Sequence, residues 1–150
     1  MQSFKQLRRI CKDREVLSGA PRMALVGDTA TQFLATALRG ESISRGFDLN
    51  LFEAEYNQVE RQFLDPTSEL YAFDADYIVL FQSTHKLGEY HSSLSDAEQS
   101  QLATNRLDFV ASICQNPQMV GKKLICMNYP EIDDAVFGSY ANQVESSLTY

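Results

Sequence analysis

A turn with a hydroxyl side chain is the strongest candidate for a catalytic site in this sequence. Gly27-Asp28-Thr29 follows the apolar run 22–26, and a turn between a strand and a helix can place a nucleophile beside backbone N–H donors. Thr29 is the candidate nucleophile. The competing interpretation is structural, because the four residues from Thr29 to Gln32 fit a capping box in which Thr29 caps the following helix.

Activation of Thr29 would need a general base within hydrogen-bond reach, usually a histidine that a carboxylate orients. The sequence has two histidines. His85 follows the third predicted strand and is the candidate base, whereas His91 falls in a polar stretch that predicts a surface loop. Neither has a carboxylate at a recognisable offset, and their spacing fits no common metal site. Structural or surface roles are therefore favoured for both, and no metal site is predicted.

Four apolar runs predict the strands that would position these residues. Residues 22–26 and 77–81 are apolar on both faces, which is typical of buried parallel strands. Residues 47–53 alternate between apolar and polar types, and residues 124–127 form the fourth run.

Helical patterns separate these strands. The first covers residues 31–39 and ends before Gly40, which suits a helix C-cap. Two short helical pieces within residues 56–73 are divided at Pro66, and residues 95–116 follow a capping box that begins at Ser95. The alternation predicts an α/β fold, a three-layer doubly wound parallel sheet of the flavodoxin-like type with strand order 2-1-3-4.

In such sheets, ligands bind beyond the carboxyl ends of the strands. The predicted binding face therefore consists of polar or turn-forming residues that follow the strands: Gly27, Asp28, Thr29, Gln32, Asn57, Ser83 and Asn128.

Composition excludes several functional classes. The 150 residues suit one domain, and the net charge of −7 argues against nucleic-acid binding. No apolar run approaches the ~18 residues that span a bilayer. Three cysteines without a C-x-x-C spacing predict neither a metal site nor disulfides, but buried thiols in a reducing, cytoplasmic setting.

The two ends of the chain differ from the rest. Residues 1–14 carry five basic side chains and one acidic one, a net +4. The helical spacing of Phe4, Leu7 and Ile10 predicts an amphipathic helix there, so we assign residues 1–20 to a helix and linker and residues 21–150 to the α/β domain. A helical spacing of apolar residues also runs to the end of the chain, which predicts a domain cut before a further one.

Common cofactor motifs give a weaker indication. Neither G-x-G-x-x-G nor a P-loop is present. The two threonines at positions 29 and 31 are spaced as in a flavin-phosphate loop, with Tyr56 or Tyr129 left to stack on the ring. A flavin-binding module is an alternative, and otherwise no cofactor is expected in this chain.

Gly27-Asp28-Thr29 resembles the first motif of the SGNH hydrolases, in which Gly-Asp-Ser carries the nucleophile. From about Phe4 onward the chain is more similar to the N-terminal domain of FkbH-like proteins, and residues 27–34, 64–73 and 137–147 carry this resemblance. FkbH-like proteins resemble SGNH hydrolases in fold and continue into a phosphatase-type domain of the haloacid dehalogenase superfamily, subfamily IIIC.

The resemblance implies a parent enzyme whose downstream domain has an aspartate nucleophile and Mg²⁺. Such a parent is a phosphatase, or transfers a glyceryl unit to an acyl carrier protein in polyketide-type biosynthesis. This chain would then be a non-catalytic module for docking or substrate presentation, with the downstream domain and a carrier protein as partners.

The SGNH serine is replaced by Thr29, and the Gly-x-Asn-Asp and Asp-x-x-His motifs are missing. A small esterase or acyl-transfer domain that uses Thr29 with His85 is the alternative.

Overall fold

The computed structural model describes residues 2–12, 15–130, 138–144 and 147–148. The chain forms two compact units, which are described in turn. The first consists of Met1–Phe81 and Pro117–Met127, and the second of Gln82–Asn116 and Asn128–Tyr150.

The first unit contains the sheet. Its helices and strands, in chain order, are α1 (Phe4–Cys11), β1 (Arg22–Gly27), α2 (Gln32–Ser44), β2 (Asn50–Glu53), α3 (Val59–Leu64), α4 (Glu69–Phe73), β3 (Tyr77–Phe81), a 3₁₀ turn (Pro117–Met119) and β4 (Lys123–Cys126).

The four strands are parallel and lie in the order β2-β1-β3-β4, as the sequence predicts. Strand β1 lies between β2 and β3, and Ala24, Leu25 and Val26 are fully buried within it. The right-handed rule for crossovers places α2 on one face and α3 with α4 on the other, because β2 and β3 flank β1 on opposite sides. The predicted α/β fold with strand order 2-1-3-4 is confirmed.

Strand β2 begins three residues later than the alternation predicts. The Asp48 carboxylate accepts a hydrogen bond from the Leu17 backbone N–H at 3.1 Å. This contact holds the chain before β2 against the segment that precedes β1, and Phe47 is left exposed. The Phe47 N–H donates to the Ser42 carbonyl oxygen at 3.1 Å. The end of α2 and the Asp48 contact, rather than a ladder to β1, therefore fix residues 47 and 48.

Carboxylates also fix the amino end of the sheet. Asp76 accepts a hydrogen bond from the Arg22 backbone N–H at 2.8 Å, which ties the start of β1 to the start of β3. Asp74 has a left-handed backbone with φ of 54° and accepts a hydrogen bond from Lys122 Nζ at 2.6 Å. This hydrogen bond and the positive charge of Lys122 lower the pKa of Asp74. The acidic groups at this edge thus have structural partners.

Gly40 is not the C-cap that the sequence predicts. Helix α2 continues through it to Ser44, and the chain turns at Gly46 with a φ of +88°. A Cβ atom on Gly40 would lie 2.7 Å from the Leu7 Cβ and 2.8 Å from the Leu7 carbonyl oxygen. The glycine is buried and allows the backbones of α1 and α2 to approach each other.

The predicted amphipathic helix at the N-terminus is present as α1. Ser3 and Gln6 form its capping box, and Leu7 is buried against α2. Phe4 meets the Phe33 ring edge-on, with 5.4 Å between the centroids. The basic side chains of Arg8 and its neighbours remain exposed.

The second unit contains α5 (Thr84–Ser93), α6 (Asp96–Gln99), α7 (Leu102–Gln115) and a 3₁₀ segment (Gly138–Gln143). Helix α5 replaces the polar loop expected around His91. The helix expected over residues 95–116 is divided in two, although its capping box is confirmed. Glu98 accepts hydrogen bonds from the Ser95 hydroxyl at 2.6 Å and from its N–H at 2.9 Å, which lower the pKa of Glu98.

The helix expected near the end of the chain is also different. Its described part, around Tyr140, is the 3₁₀ segment, and the rest lies partly outside the described residues. Across the described ranges, no helix combines the length and apolar character needed to cross a bilayer.

The cysteines are only partly as expected. All three are free thiols, but Cys114 and Cys126 are exposed. Cys11 is partly buried, its Sγ lies 3.5 Å from the Thr36 carbonyl oxygen, and burial raises the pKa of this thiol.

We predict that Gly40→Ala lowers the free energy of unfolding by about 1–3 kcal/mol, because the methyl group would overlap the Leu7 backbone. This cost opposes the helix propensity of alanine, which would otherwise stabilise α2 by about 1 kcal/mol. Urea denaturation measures the difference. Ser44→Ala, an exposed change in the same helix, is the control and should stay within about 0.5 kcal/mol of the wild type. A Gly40→Ala variant that is more stable than the wild type would contradict this packing account.

Candidate functional site

The turn after β1 is built by close packing at Gly27. A Cβ atom on Gly27 would lie 3.0 Å from Thr31 Cγ2 and 3.2 Å from the Phe81 carbonyl oxygen. The Asp28 N–H donates to that same carbonyl oxygen at 3.2 Å, so the pairing of β1 with β3 continues to the first residue of the turn. Four residues of the predicted binding face, Gly27, Asp28, Thr29 and Gln32, therefore lie at the carboxyl end of β1.

The cap of α2 is Thr31 and not Thr29. The helix begins at Gln32, and the Thr31 side chain makes no capping hydrogen bond. Instead, the Thr31 hydroxyl donates to Glu53 Oε1 at 2.6 Å, and Thr31 is only 3% exposed. The predicted capping box from Thr29 to Gln32 is wrong, because this buried contact between the start of α2 and the end of β2 determines where the helix begins.

Thr29 itself is half-buried on the turn. The unit that contains it has no histidine in its sequence, since His85 and His91 both belong to the second unit. The Glu53 carboxylate at the same sheet edge is the acceptor for Thr31. The first unit therefore supplies a hydroxyl without an imidazole base to activate it.

The other predicted site residues lie in loops and at a helix end. Asn57 is exposed in the turn before α3, with a left-handed φ of 59°. In the second unit, Ser83 is the N-cap residue of α5, and its carbonyl oxygen accepts from the Leu87 N–H at 3.0 Å. His85 is exposed on the first turn of α5, and Asn128 is exposed after β4.

The second unit has a cavity that the sequence did not indicate. Its volume is about 1150 Å³, and residues of α5, α6, α7 and the C-terminal segment line it. His91 is among them and is 7% exposed, so its predicted surface location is wrong. Leu87 and His91 are four residues apart on the inward face of α5, a signal that is hidden when histidine is counted as polar.

Among the residues that the structure describes, no three His, Cys, Asp or Glu side chains lie close enough to hold an ion.

Comparison with known proteins places this arrangement in a family. The family model for the N-terminal domain of FkbH matches residues 22–150. The chain belongs to the FkbH N-terminal domain family. No match was found among the curated proteins.

A solved structure resembles this FkbH N-terminal domain over its whole length. It is the N-terminal part of the protein BF1531 from Bacteroides fragilis, which contains a phosphatase domain and was crystallised with Mg. The two share 50% sequence identity with a TM-score of 0.88, over 100% of the present chain and 39% of that structure. The chain thus spans about two fifths of the length of the protein in that structure.

We predict that Thr31→Val lowers the free energy of unfolding of this FkbH domain by about 1–2 kcal/mol. The change keeps the shape of the side chain but leaves Glu53 Oε1 without its donor. Thr29→Val, the same substitution two residues earlier, is the matched control and should change stability by less than about 0.5 kcal/mol. Thermal and urea unfolding of both variants measure the effect. If Thr29→Val proved the more damaging of the two, the assignment of the cap to Thr31 would be wrong.

Proposed function

We propose that this chain is a non-catalytic N-terminal module of an FkbH-like multidomain enzyme, and that it serves docking or substrate presentation. The proposal rests on the polar side chains at the carboxyl edge of the sheet. The hydroxyl at Thr29 belongs to a unit without histidine, and the carboxylate of Glu53 is held by Thr31. A hydrolase that used this edge would need a base to take the proton of its nucleophile.

The parent enzyme is proposed to carry the chemistry in a downstream phosphatase-type domain. A structure that shares 50% of its residues with the entire chain contains a phosphatase domain and Mg, and this chain corresponds to 39% of it. We therefore assign the aspartate nucleophile and Mg²⁺ to the downstream domain. The parent acts as a phosphatase or transfers a glyceryl unit to an acyl carrier protein.

Helix α1 is the proposed contact for the carrier protein. Leu7 turns towards α2, while Lys5, Arg8 and Arg9 are exposed. Residues 1–14 have a net charge of +4, whereas the chain as a whole has −7. The phosphopantetheine arm of a carrier protein bears a phosphate, which a cluster of arginines binds through charge-assisted hydrogen bonds.

We expect the 150-residue chain to bind a phosphopantetheinylated acyl carrier protein, and the double variant Arg8→Glu/Arg9→Glu to weaken binding at least tenfold. Titration followed by NMR measures the affinity. The matched control is Arg45→Glu/Arg61→Glu, which changes the charge equally at two other exposed arginines, 70% and 52% accessible. A control that weakens binding as strongly would show a general charge effect and contradict docking at α1.

An ester hydrolysis assay separates this proposal from the alternative of an esterase that uses Thr29. The module account expects no hydrolysis of p-nitrophenyl acetate or butyrate above that of the Thr29→Ala variant. Ester hydrolysis that Thr29→Ala abolishes would overturn the proposal in favour of an esterase or acyl-transfer domain.

A further inference from the structure

The cavity of the second unit has the size and walls of a ligand site. Small-molecule pockets commonly measure about 300–1000 Å³ and are lined mainly by apolar side chains. This cavity measures about 1150 Å³, and Leu87, Leu102, Leu107 and Val110 contribute apolar wall from α5 and α7. Leu107 is 71% exposed, so a molecule in the cavity would cover apolar surface that otherwise faces water.

His91 supplies a polar group inside this cavity. It is 93% buried, since only 7% of its surface is exposed, and it lines the cavity. Its backbone carbonyl oxygen accepts from Gln99 Nε2 at 3.0 Å and from the Leu94 N–H at 3.1 Å, which fixes the end of α5. Among the described residues, none makes a hydrogen bond to its imidazole ring. The ring nitrogens lie on the cavity wall, where a polar atom of a ligand can hydrogen-bond to them.

The charges around the cavity favour an uncharged ligand. The second unit has eight acidic residues and two basic ones, a net charge of −6, which disfavours an anion. Among the described residues of the cavity wall, Arg106 is the one cation and Asp96 the one anion. Arg106 lies over the Tyr90 ring, 5.3 Å from its centroid, and Asp96 is exposed to solvent. Arg106 is thus engaged with Tyr90 and Asp96 is solvated, so neither is a buried counterion for a charged ligand, which would lose its hydration on entry.

We propose that this cavity binds an uncharged amphiphile, with an apolar chain against α5 and α7 and one hydroxyl or carbonyl group hydrogen-bonded to the His91 ring. None of the residues that line this cavity belongs to the turn at Thr29 or to α1. This binding does not depend on the docking role proposed above.

The test uses three eight-carbon probes that differ only in the head group: 1-octanol, octanoate and octylammonium. The chain has two histidines, both in α5, so their ring proton signals in an NMR titration report one inside and one outside the cavity. We expect 1-octanol to shift the His91 signals saturably and to leave those of His85, which is exposed, unchanged. Octanoate and octylammonium should bind at least tenfold more weakly.

A steric variant checks the location of the probe. Ala103 lines the cavity, and Ala111 lies eight residues further along the same helix, exposed and outside the lining. Ala103→Trp should place an indole ring inside the cavity and weaken octanol binding at least tenfold, whereas Ala111→Trp should bind as the wild type does.

Three results would overturn the proposal. The first is the lack of a saturable shift at His91 up to the solubility of octanol. The second is octanol binding by Ala103→Trp with unchanged affinity. The third is equal or tighter binding of either charged probe, which would show that the ligand class is wrong.

Discussion

The structure depends on the burial of β1 from both faces. Strand β1 pairs in parallel with β2 and β3, and Ala24, Leu25 and Val26 are fully buried. A parallel sheet of this kind needs helices on each face, because its strands have no polar face to turn towards water. The crossovers that supply those helices all leave from the carboxyl ends of the strands. The turn at Gly27 follows from this topology, because it connects β1 to the first crossover. It also lies at the edge where ligands bind in such sheets.

At the carboxyl edge of the sheet, polar side chains make structural contacts with each other. The buried hydrogen bond from Thr31 to Glu53 joins the start of α2 to the end of β2. It occupies the carboxylate that stands at the sheet edge, and the histidines of the chain belong to the other unit. The chain belongs to the FkbH N-terminal domain family, and the similar solved structure extends beyond it and contains a phosphatase domain.

The strands and their order were predictable because strand periodicity is local and the crossover rule limits topology. Tertiary contacts decided the rest. Gly40 has the sequence position of a C-cap, yet its role is to admit the backbone at Leu7. Thr31 is the N-cap residue of α2, yet its hydroxyl donates to Glu53, a residue 22 positions away, and makes no capping bond. His91 was placed in a loop because a buried histidine does not register in an apolar pattern, and so both α5 and the cavity were missed.

Reaction with a fluorophosphonate tests most directly whether the Thr29 hydroxyl is activated. Such reagents form a covalent adduct with a hydroxyl whose proton a neighbouring base removes. The intact mass of the chain should stay unchanged after prolonged incubation, also for Thr29→Ser, while an active serine hydrolase in the same tube is labelled completely. An adduct that peptide mapping assigns to Thr29 would contradict the account.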